Sequence, residues 1–161
     1  MMNRFKRLFL LGIAFLLVSS ALVGCSGQGN QAADHSFAMA PLSDMPEMVH
    51  HAPVRVQQAY QFAVANPETL QQIPCYCGCG SMGHTSDYAC FVADEAADGT
   101  LTFETHALGC SICVDIAHDT MRLLDKGQPV DEIFRYIDQT YSRFGPPTPL
   151  DSLMNEMQEG Q

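Results

Sequence analysis

Apolar side chains recur every three or four positions in three stretches of the chain, a pattern typical of helices with one buried face. The first stretch follows Pro53, a residue that suits a first helical turn. Its apolar positions are Val56, Ala59, Tyr60, Ala63 and Val64. Asn66-Pro67 is expected to end this helix, because the residue before a proline disfavours helical backbone. Residues 67–70 are then expected to begin a second short helical turn.

Two further helices are predicted downstream of the cysteines. One covers about residues 107–125 and ends at Gly127, a common helix stop. Its apolar side holds Cys110, Cys113, Val114, Ala117, Met121 and Leu124. Pro129 opens the next helix, and Gly145-Pro146-Pro147 ends it. Its apolar stripe consists of Ile133, Phe134, Ile137 and Tyr141. The pattern predicts a mainly α fold over residues 53–147, a small bundle of about three helices with a Cys-rich loop.

The region between the first two helices is harder to assign. Asp98-Gly99 is a strong turn signal. It predicts a short β-hairpin that pairs the region of Phe91 with residues 101–103, although a loop fits the pattern equally well. At the other end, residues 148–161 are expected to be a tail in which residues 151–157 form one last amphipathic helical turn or two.

The amino terminus has the form of a targeting segment. Arg4, Lys6 and Arg7 precede an apolar run over residues 8–18, which is too short for a comfortable membrane span. Leu22-Val23-Gly24-Cys25 then resembles a lipobox. Residues 1–24 are therefore expected to be a lipoprotein signal peptide, and Cys25 the lipidated first residue of a mature protein held by its acyl chains on the extracytoplasmic face of a membrane. An uncleaved N-terminal anchor is the alternative.

Residues 25–52 are rich in Gly, Gln, Ala, Ser and Pro and lack a sustained apolar period, so we expect a flexible tether. The tether contains several thioether and imidazole side chains, at His35, Met39, Met45, Met48, His50 and His51. Both groups are copper ligands in extracytoplasmic settings. They could capture copper first and pass it inward, or they could be incidental, since a tether accepts almost any composition.

Charge narrows the set of partners. All 18 acidic residues follow Cys25, while only five of the eight basic residues do, which gives the mature chain a net charge of about −13. Nucleic acid is therefore not an expected partner. Anionic lipid headgroups would also repel this surface, whereas cations would be attracted to it.

Sulfur dominates the candidate chemistry. Of the seven cysteines, six remain after Cys25, and three of them alternate in the motif Pro74-Cys75-Tyr76-Cys77-Gly78-Cys79-Gly80. The others are Cys90, Cys110 and Cys113. An even number of thiols in an exported chain allows complete disulfide pairing. However, a bridge between alternate residues of the loop would close a small, strained ring.

A metal site explains the spacing better than disulfides do. His106, Cys110 and Cys113 are four and three residues apart, which would place all three on one stripe of a helix. If the loop with Cys75, Cys77 and Cys79 packs there, the site has more soft ligands than a tetrahedral ion needs. His84 and Cys90 are further candidate ligands. The Cys110-x-x-Cys113 pair could instead exchange disulfides, with Cys110 as the attacking thiol if its pKa were depressed.

The stretch from residue 60 to residue 141 resembles the bacterial lipoproteins named for their PCYCGC motif. The matching residues are Tyr60-Gln61-Phe62-Ala63, Asn66-Pro67, Ile73 to Gly80, Gly83-His84, Cys90-Phe91-Val92, His106-Ala107, Cys110 and Cys113. The seven-residue core of this match is very specific. The resemblance implies location and architecture more than activity.

A second, looser likeness is to the thiol-bearing helical proteins of cytochrome c maturation. It rests on Cys110-x-x-Cys113, Gly127 to Ile133, and Tyr141 to Pro147, which follow the same order along the chain. It implies a small helical bundle and thiol exchange.

The sequence thus predicts a lipid-anchored, extracytoplasmic protein that binds Cu(I), with zinc as the nearest variant, and that handles or delivers the ion without multiple-turnover catalysis. One alternative is a thiol–disulfide reductant that assists a cytochrome or a copper centre under assembly. Another is a disulfide-stapled scaffold that binds a membrane protein through its acidic surface.

Overall fold

The computed structural model describes residues 36–150. The predicted signal peptide, the predicted lipidation site Cys25 and His35 lie outside the described residues, as does the segment 151–161. Six α-helices are described: α1 Glu47–His50, α2 Val54–Ala65, α3 Pro67–Leu70, α4 His106–Gly109, α5 Ser111–Leu124 and α6 Val130–Tyr141. Two strands, β1 Val92–Glu95 and β2 Leu101–Phe103, and 3-10 turns at Leu42–Asp44, Cys79–Met82 and Tyr88–Cys90 complete the described part. No helix within it is long and apolar enough to cross a membrane.

The three longer helices form the framework of the core. α2 packs against α5, and α5 packs against α6. The buried residues of α6 are Ile133, Ile137 and Tyr141, four residues apart, so they lie on one face. Gly127 follows the end of α5, and its φ of +72° lets the Gln128 N–H reach the Leu123 carbonyl at 3.1 Å. Most residues of the predicted stripes are buried in the core, while Val56, Val64, Cys110, Leu124 and Phe134 are partly buried against it.

The fold class is confirmed, but the prediction of about three helices is too low. The three longer helices match the three predicted stretches, and the short helical turn predicted over residues 67–70 is α3. α1 and α4 are single turns of four residues, too short to show a helical period in the sequence.

The tether predicted over residues 25–52 is wrong for its second half. Within this segment Met45 and Val49 are buried, and α1 forms between residues 47 and 50. Phe37 packs edge-to-face on Phe62 at 5.1 Å between ring centroids. The Asn66 side chain also holds this segment, because its Nδ2 donates to the Ala38 carbonyl at 2.8 Å. A few well-placed apolar residues fold the segment onto the core without a repeating pattern.

The helix predicted over residues 107–125 is interrupted. Cys110 has extended backbone, with φ of −111° and ψ of 104°, and separates α4 from α5. The predicted stripe of His106, Cys110 and Cys113 on one continuous helix is therefore wrong. The break turns His106 and Cys113 towards a common region from two different helices.

The β-hairpin is confirmed. β1 and β2 pair antiparallel, with Val92 opposite Phe103 and Glu95 opposite Leu101. Gly99 in the turn has φ of +84°, a conformation that glycine adopts without strain. Tyr60 connects α2 to this hairpin, since its hydroxyl donates to the Glu104 carbonyl at 2.6 Å.

The start of the predicted tail also packs on the core. Thr148 and Leu150 are buried. Residues 145–150, here called the C-terminal strap, run past the cysteine loop, and the Thr148 N–H donates to the Cys75 carbonyl at 2.9 Å.

Candidate metal centre

The PCYCGC segment bends tightly enough to turn its alternate cysteines inward. Gly78 has φ of +87° and leads into the 3-10 turn that begins at Cys79. Cys75 and Cys79 are buried, and Cys77 is partly exposed. In a regular strand these three side chains would point to the same face in a row, whereas the bend gathers them around one point.

Four sulfur atoms form the centre of the site. Cys75 Sγ lies 3.4 Å from Cys77 Sγ and 3.4 Å from Cys113 Sγ, and the Cys77 and Cys113 sulfurs are 3.7 Å apart. Cys90 Sγ lies within 4.8 Å of each of the other three. Cys113 comes from α5 and Cys90 from the turn before β1, so three separate parts of the chain meet here.

These separations match the edges of a tetrahedral thiolate site. A Zn–S bond length of about 2.3 Å gives a ligand–ligand separation of about 3.8 Å at a tetrahedral angle. The observed sulfur separations of 3.4 to 3.7 Å are close to this value. None of the six described cysteines forms a disulfide. Little movement is needed for these sulfurs to surround one soft ion.

Further donor groups surround the four sulfurs. His106 Nε2 lies 3.3 Å from Cys77 Sγ, and Cys79 Sγ lies 3.6 Å from Cys90 Sγ. Three groups of four donors have all their ligand atoms within 4.8 Å of one another. They are Cys75, Cys77, Cys79 and Cys90; Cys77, Cys90, His106 and Cys113; and Cys75, Asp87, Cys90 and Cys113.

His84 lies at the edge of the cluster. Its Nδ1 is 3.4 Å from Cys90 Sγ, and its ring packs edge-on against the His106 ring at 5.3 Å. It belongs to none of the three groups of donors found in residues 36–150. His84 is therefore placed to orient Cys90 through a hydrogen bond.

Cys110 is a predicted ligand that lies at the edge of the cluster, where its thiol interacts with that of Cys113. It belongs to none of the three donor groups, although Cys113, three residues later, belongs to two. Its extended backbone breaks the helix that would have put it in line with Cys113. Burial also raises the pKa of the Cys110 thiol, which is the reverse of what an attacking thiol needs.

The close packing of thiols separates their pKa values. Interaction with the Cys90 thiol lowers the pKa of Cys77 to about 5. Interaction with Cys113 lowers the pKa of Cys79, whereas interaction with Cys75 raises the pKa of Cys113. A thiolate that accepts S–H hydrogen bonds is stabilised, and its donors are then held as thiols. Full deprotonation of the cluster would therefore need a bound cation.

Asp87 is a site residue that the sequence analysis missed. Its side chain is fully buried, and both carboxylate oxygens lack a hydrogen-bond partner. Burial raises its pKa well above the usual range. Its backbone N–H donates to the Ile73 carbonyl at 2.8 Å, which fixes it beside the cysteine loop. Its place between the candidate ligands His84 and Cys90 is the sequence signal that could have identified it.

The C-terminal strap holds the loop in place. Both backbone polar groups of Cys75 form hydrogen bonds with Thr148. The Cys75 N–H donates to Thr148 Oγ1 at 3.0 Å, and the Cys75 carbonyl accepts from the Thr148 N–H at 2.9 Å. Gly145 passes so close to the loop that an added Cβ would lie 2.9 Å from the Tyr76 carbonyl oxygen. The strap therefore fixes the position of the first ligand cysteine.

The Met and His residues of the amino-terminal segment lie elsewhere in the described structure. Met45 is buried in the core, and His50 donates to the Met45 carbonyl at 2.9 Å. His51 pairs with Glu47 at 2.7 Å on the surface. His50 and His51 belong to none of the three donor groups found in residues 36–150.

Comparison with known proteins gives one family. A family model described as "Protein of unknown function with PCYCGC motif" matches residues 14–152. No curated protein and no solved structure matches the chain. The likeness to thiol proteins of cytochrome c maturation thus has no support from these comparisons.

Proposed function

We propose that this chain, which belongs to the family of proteins of unknown function with a PCYCGC motif, binds Cu(I) through its clustered cysteines and hands the ion on. The observation that carries the proposal is the set of four sulfur atoms, from Cys75, Cys77, Cys90 and Cys113, that lie mutually within 4.8 Å. Sulfur ligands select soft ions over Mg²⁺ and Ca²⁺.

Cu(I) is preferred over Zn(II) for two reasons. The site offers more thiols than the four ligands that a closed structural zinc site uses. One of its thiols, Cys77, is also partly exposed, which gives an incoming ion or an accepting protein a route to the cluster. A site built for transfer needs such an exposed ligand, whereas a structural site is closed. Zinc remains the nearest variant, with the same ligands.

We further propose that the protein acts on the extracytoplasmic face of a membrane, anchored by lipid on Cys25. The support is the order of basic residues, apolar run and lipobox at the amino terminus. An acidic protein at that surface would attract cations. The recipient of the ion would be a metalloprotein or a cytochrome under assembly. Substitution Cys25→Ala tests the anchor: we expect loss of fatty-acid labelling and release from the membrane fraction.

The two alternatives have less support. A thiol–disulfide reductant with Cys110 as attacking thiol needs a depressed pKa, and burial raises the pKa of Cys110. A disulfide-stapled scaffold needs paired cysteines, and the six described cysteines are all free.

Anaerobic purification of the full chain in detergent tests the metal proposal. We expect bound copper after exposure to Cu(I), and six free thiols in residues 36–150 once the protein is unfolded with a chelator. Cys77→Ser should lose most of the metal, and Cys110→Ser is the matched control that should keep it. Metal binding that Cys77→Ser leaves unchanged would contradict the loop as a ligand source.

A further inference from the structure

The cluster has more donors than one ion can use. Seven side chains form the three donor groups: five thiols, the His106 imidazole and the Asp87 carboxylate. A tetrahedral ion takes four ligands. An ion in the middle of the four central sulfurs would leave Cys79, His106 and Asp87 without a role, although all three are turned towards it.

The surplus donors are arranged regularly around the central sulfurs. Any three of the four sulfurs form one face of the group, and each of the three further donors lies within 4.8 Å of all three sulfurs of a different face. Cys79 completes a tetrad with Cys75, Cys77 and Cys90; His106 completes one with Cys77, Cys90 and Cys113; Asp87 completes one with Cys75, Cys90 and Cys113. Each added donor thus creates a separate four-ligand position.

Neighbouring positions share sulfur atoms. Any two of the three tetrads have two sulfurs in common, and Cys90 belongs to all three. His84 Nδ1 contacts that shared sulfur at 3.4 Å. Because a thiolate sulfur has several lone pairs, it can bridge two ions, and shared sulfurs are what a thiolate-bridged cluster requires.

Asp87 gives independent support. Both of its oxygens are buried without a partner, which is rare for polar atoms in a folded protein. Such an atom destabilises the folded state when nothing satisfies it. A cation bound over the Cys75, Cys90 and Cys113 face would supply the missing partner, while an ion at the centre of the four sulfurs would not need Asp87 at all.

We propose that the cluster holds at least two soft metal ions in sulfur-bridged positions, with Asp87 as a ligand of one of them. This inference rests on the proposed function, because it requires that the cluster bind metal. It adds that the protein carries several ions per chain, and it assigns to Asp87 a binding role beyond the cysteines and histidines of the motif.

Metal stoichiometry tests the inference on the full chain in detergent, reduced and titrated with Cu(I) under anaerobic conditions. We expect two or more copper ions per chain to survive gel filtration in the presence of a weak chelator. The same protein loaded with ¹¹³Cd(II) should give more than one cadmium resonance. One ion per chain and one resonance would overturn the cluster and leave the proposed function standing; no bound ion would overturn both.

Variants separate the positions. Asp87→Asn keeps the shape of the side chain and should lower the count by one ion, whereas Cys90→Ser should lose all bridged ions. Cys110→Ser is the control that should keep the full count. Circular dichroism of each metal-free variant shows whether it folds. An unchanged count in folded Asp87→Asn would overturn the assignment of Asp87.

Discussion

The contact between the C-terminal strap and the cysteine loop gives a prediction whose size follows from the structure. Thr148 is buried, and its Oγ1 accepts a hydrogen bond from the Cys75 N–H at 3.0 Å. Thr148→Val replaces that oxygen by a methyl group of similar size and leaves the backbone bond from Thr148 to Cys75 in place. The substitution therefore removes one acceptor and little else.

The expected loss of stability is about 1–3 kcal/mol, the cost of leaving a buried donor unsatisfied. Urea unfolding of the reduced, chelator-treated protein measures it, and with a denaturant slope of about 1–3 kcal/mol per molar the midpoint should fall by roughly 1 M. Thr102→Val is the matched control, because Thr102 is exposed on β2. Its effect should stay within about 0.5 kcal/mol.

Two results would refute this reasoning. If Thr148→Val and Thr102→Val have the same midpoint, the strap does not hold the loop through this hydrogen bond. If Thr148→Val changes the denaturant slope, the substitution has altered the extent of the folded region, and the change in midpoint no longer measures one bond.

Three further predictions concern the same region. Gly145→Ala should destabilise the metal-free protein by about 1–3 kcal/mol in urea unfolding, because the added Cβ would lie 2.9 Å from the Tyr76 carbonyl oxygen. Gly109→Ala is the control, and it should be neutral or stabilising because the space around Gly109 is open. Equal unfolding midpoints for the two variants would contradict this prediction. Tyr76→Phe removes the 2.7 Å hydrogen bond from its hydroxyl to Asp138 Oδ1 and should lower the free energy of unfolding by about 1 kcal/mol in urea, an expectation that an unchanged value would disprove. Burial raises the pKa of Asp87, so the folded state holds the proton of this carboxyl more tightly than the unfolded state does. As the pH rises from about 4, the metal-free protein should therefore lose stability relative to Asp87→Asn, by up to about 1.4 kcal/mol per pH unit. Parallel profiles of stability against pH for the two proteins would rule this out.

Periodicity predicted the elements that are long enough to show it. α2, α5 and α6 each bury several side chains on one face, and these side chains are the ones that repeat every three or four residues in the sequence. The hairpin followed from Asp98-Gly99, whose turn preference is local. Elements of one turn, such as α1 and α4, carry no such repeat, and their helices depend on what they pack against.

Tertiary contacts decided the features that the sequence analysis missed. Met45 and Val49 fold an apparently tether-like segment onto the core, because a few buried side chains suffice when their partners are already in place. The extended backbone at Cys110 likewise breaks a helix that its neighbours favour. The first feature has no local sequence signal, and the second has a weak one in Gly109, the last residue of α4.

The candidate site was predicted in outline. The sequence placed the sulfurs of the loop and of the later helix together, and Cys75 and Cys113 are indeed 3.4 Å apart. The prediction of one continuous helix over residues 107–125 also placed Cys110 among the ligands, beside Cys113. The sequence analysis left out Asp87, because an aspartate side chain is most often exposed, and only the fold shows that this one is buried.

X-ray absorption of the copper-loaded protein tests the central claim most directly, because it reports which atoms surround the metal. The claim is that sulfurs from the loop and from α5 form one soft-metal centre. We predict a first shell dominated by sulfur, with the sulfur contribution reduced in Cys113→Ser. A first shell of nitrogen and oxygen alone would contradict the account.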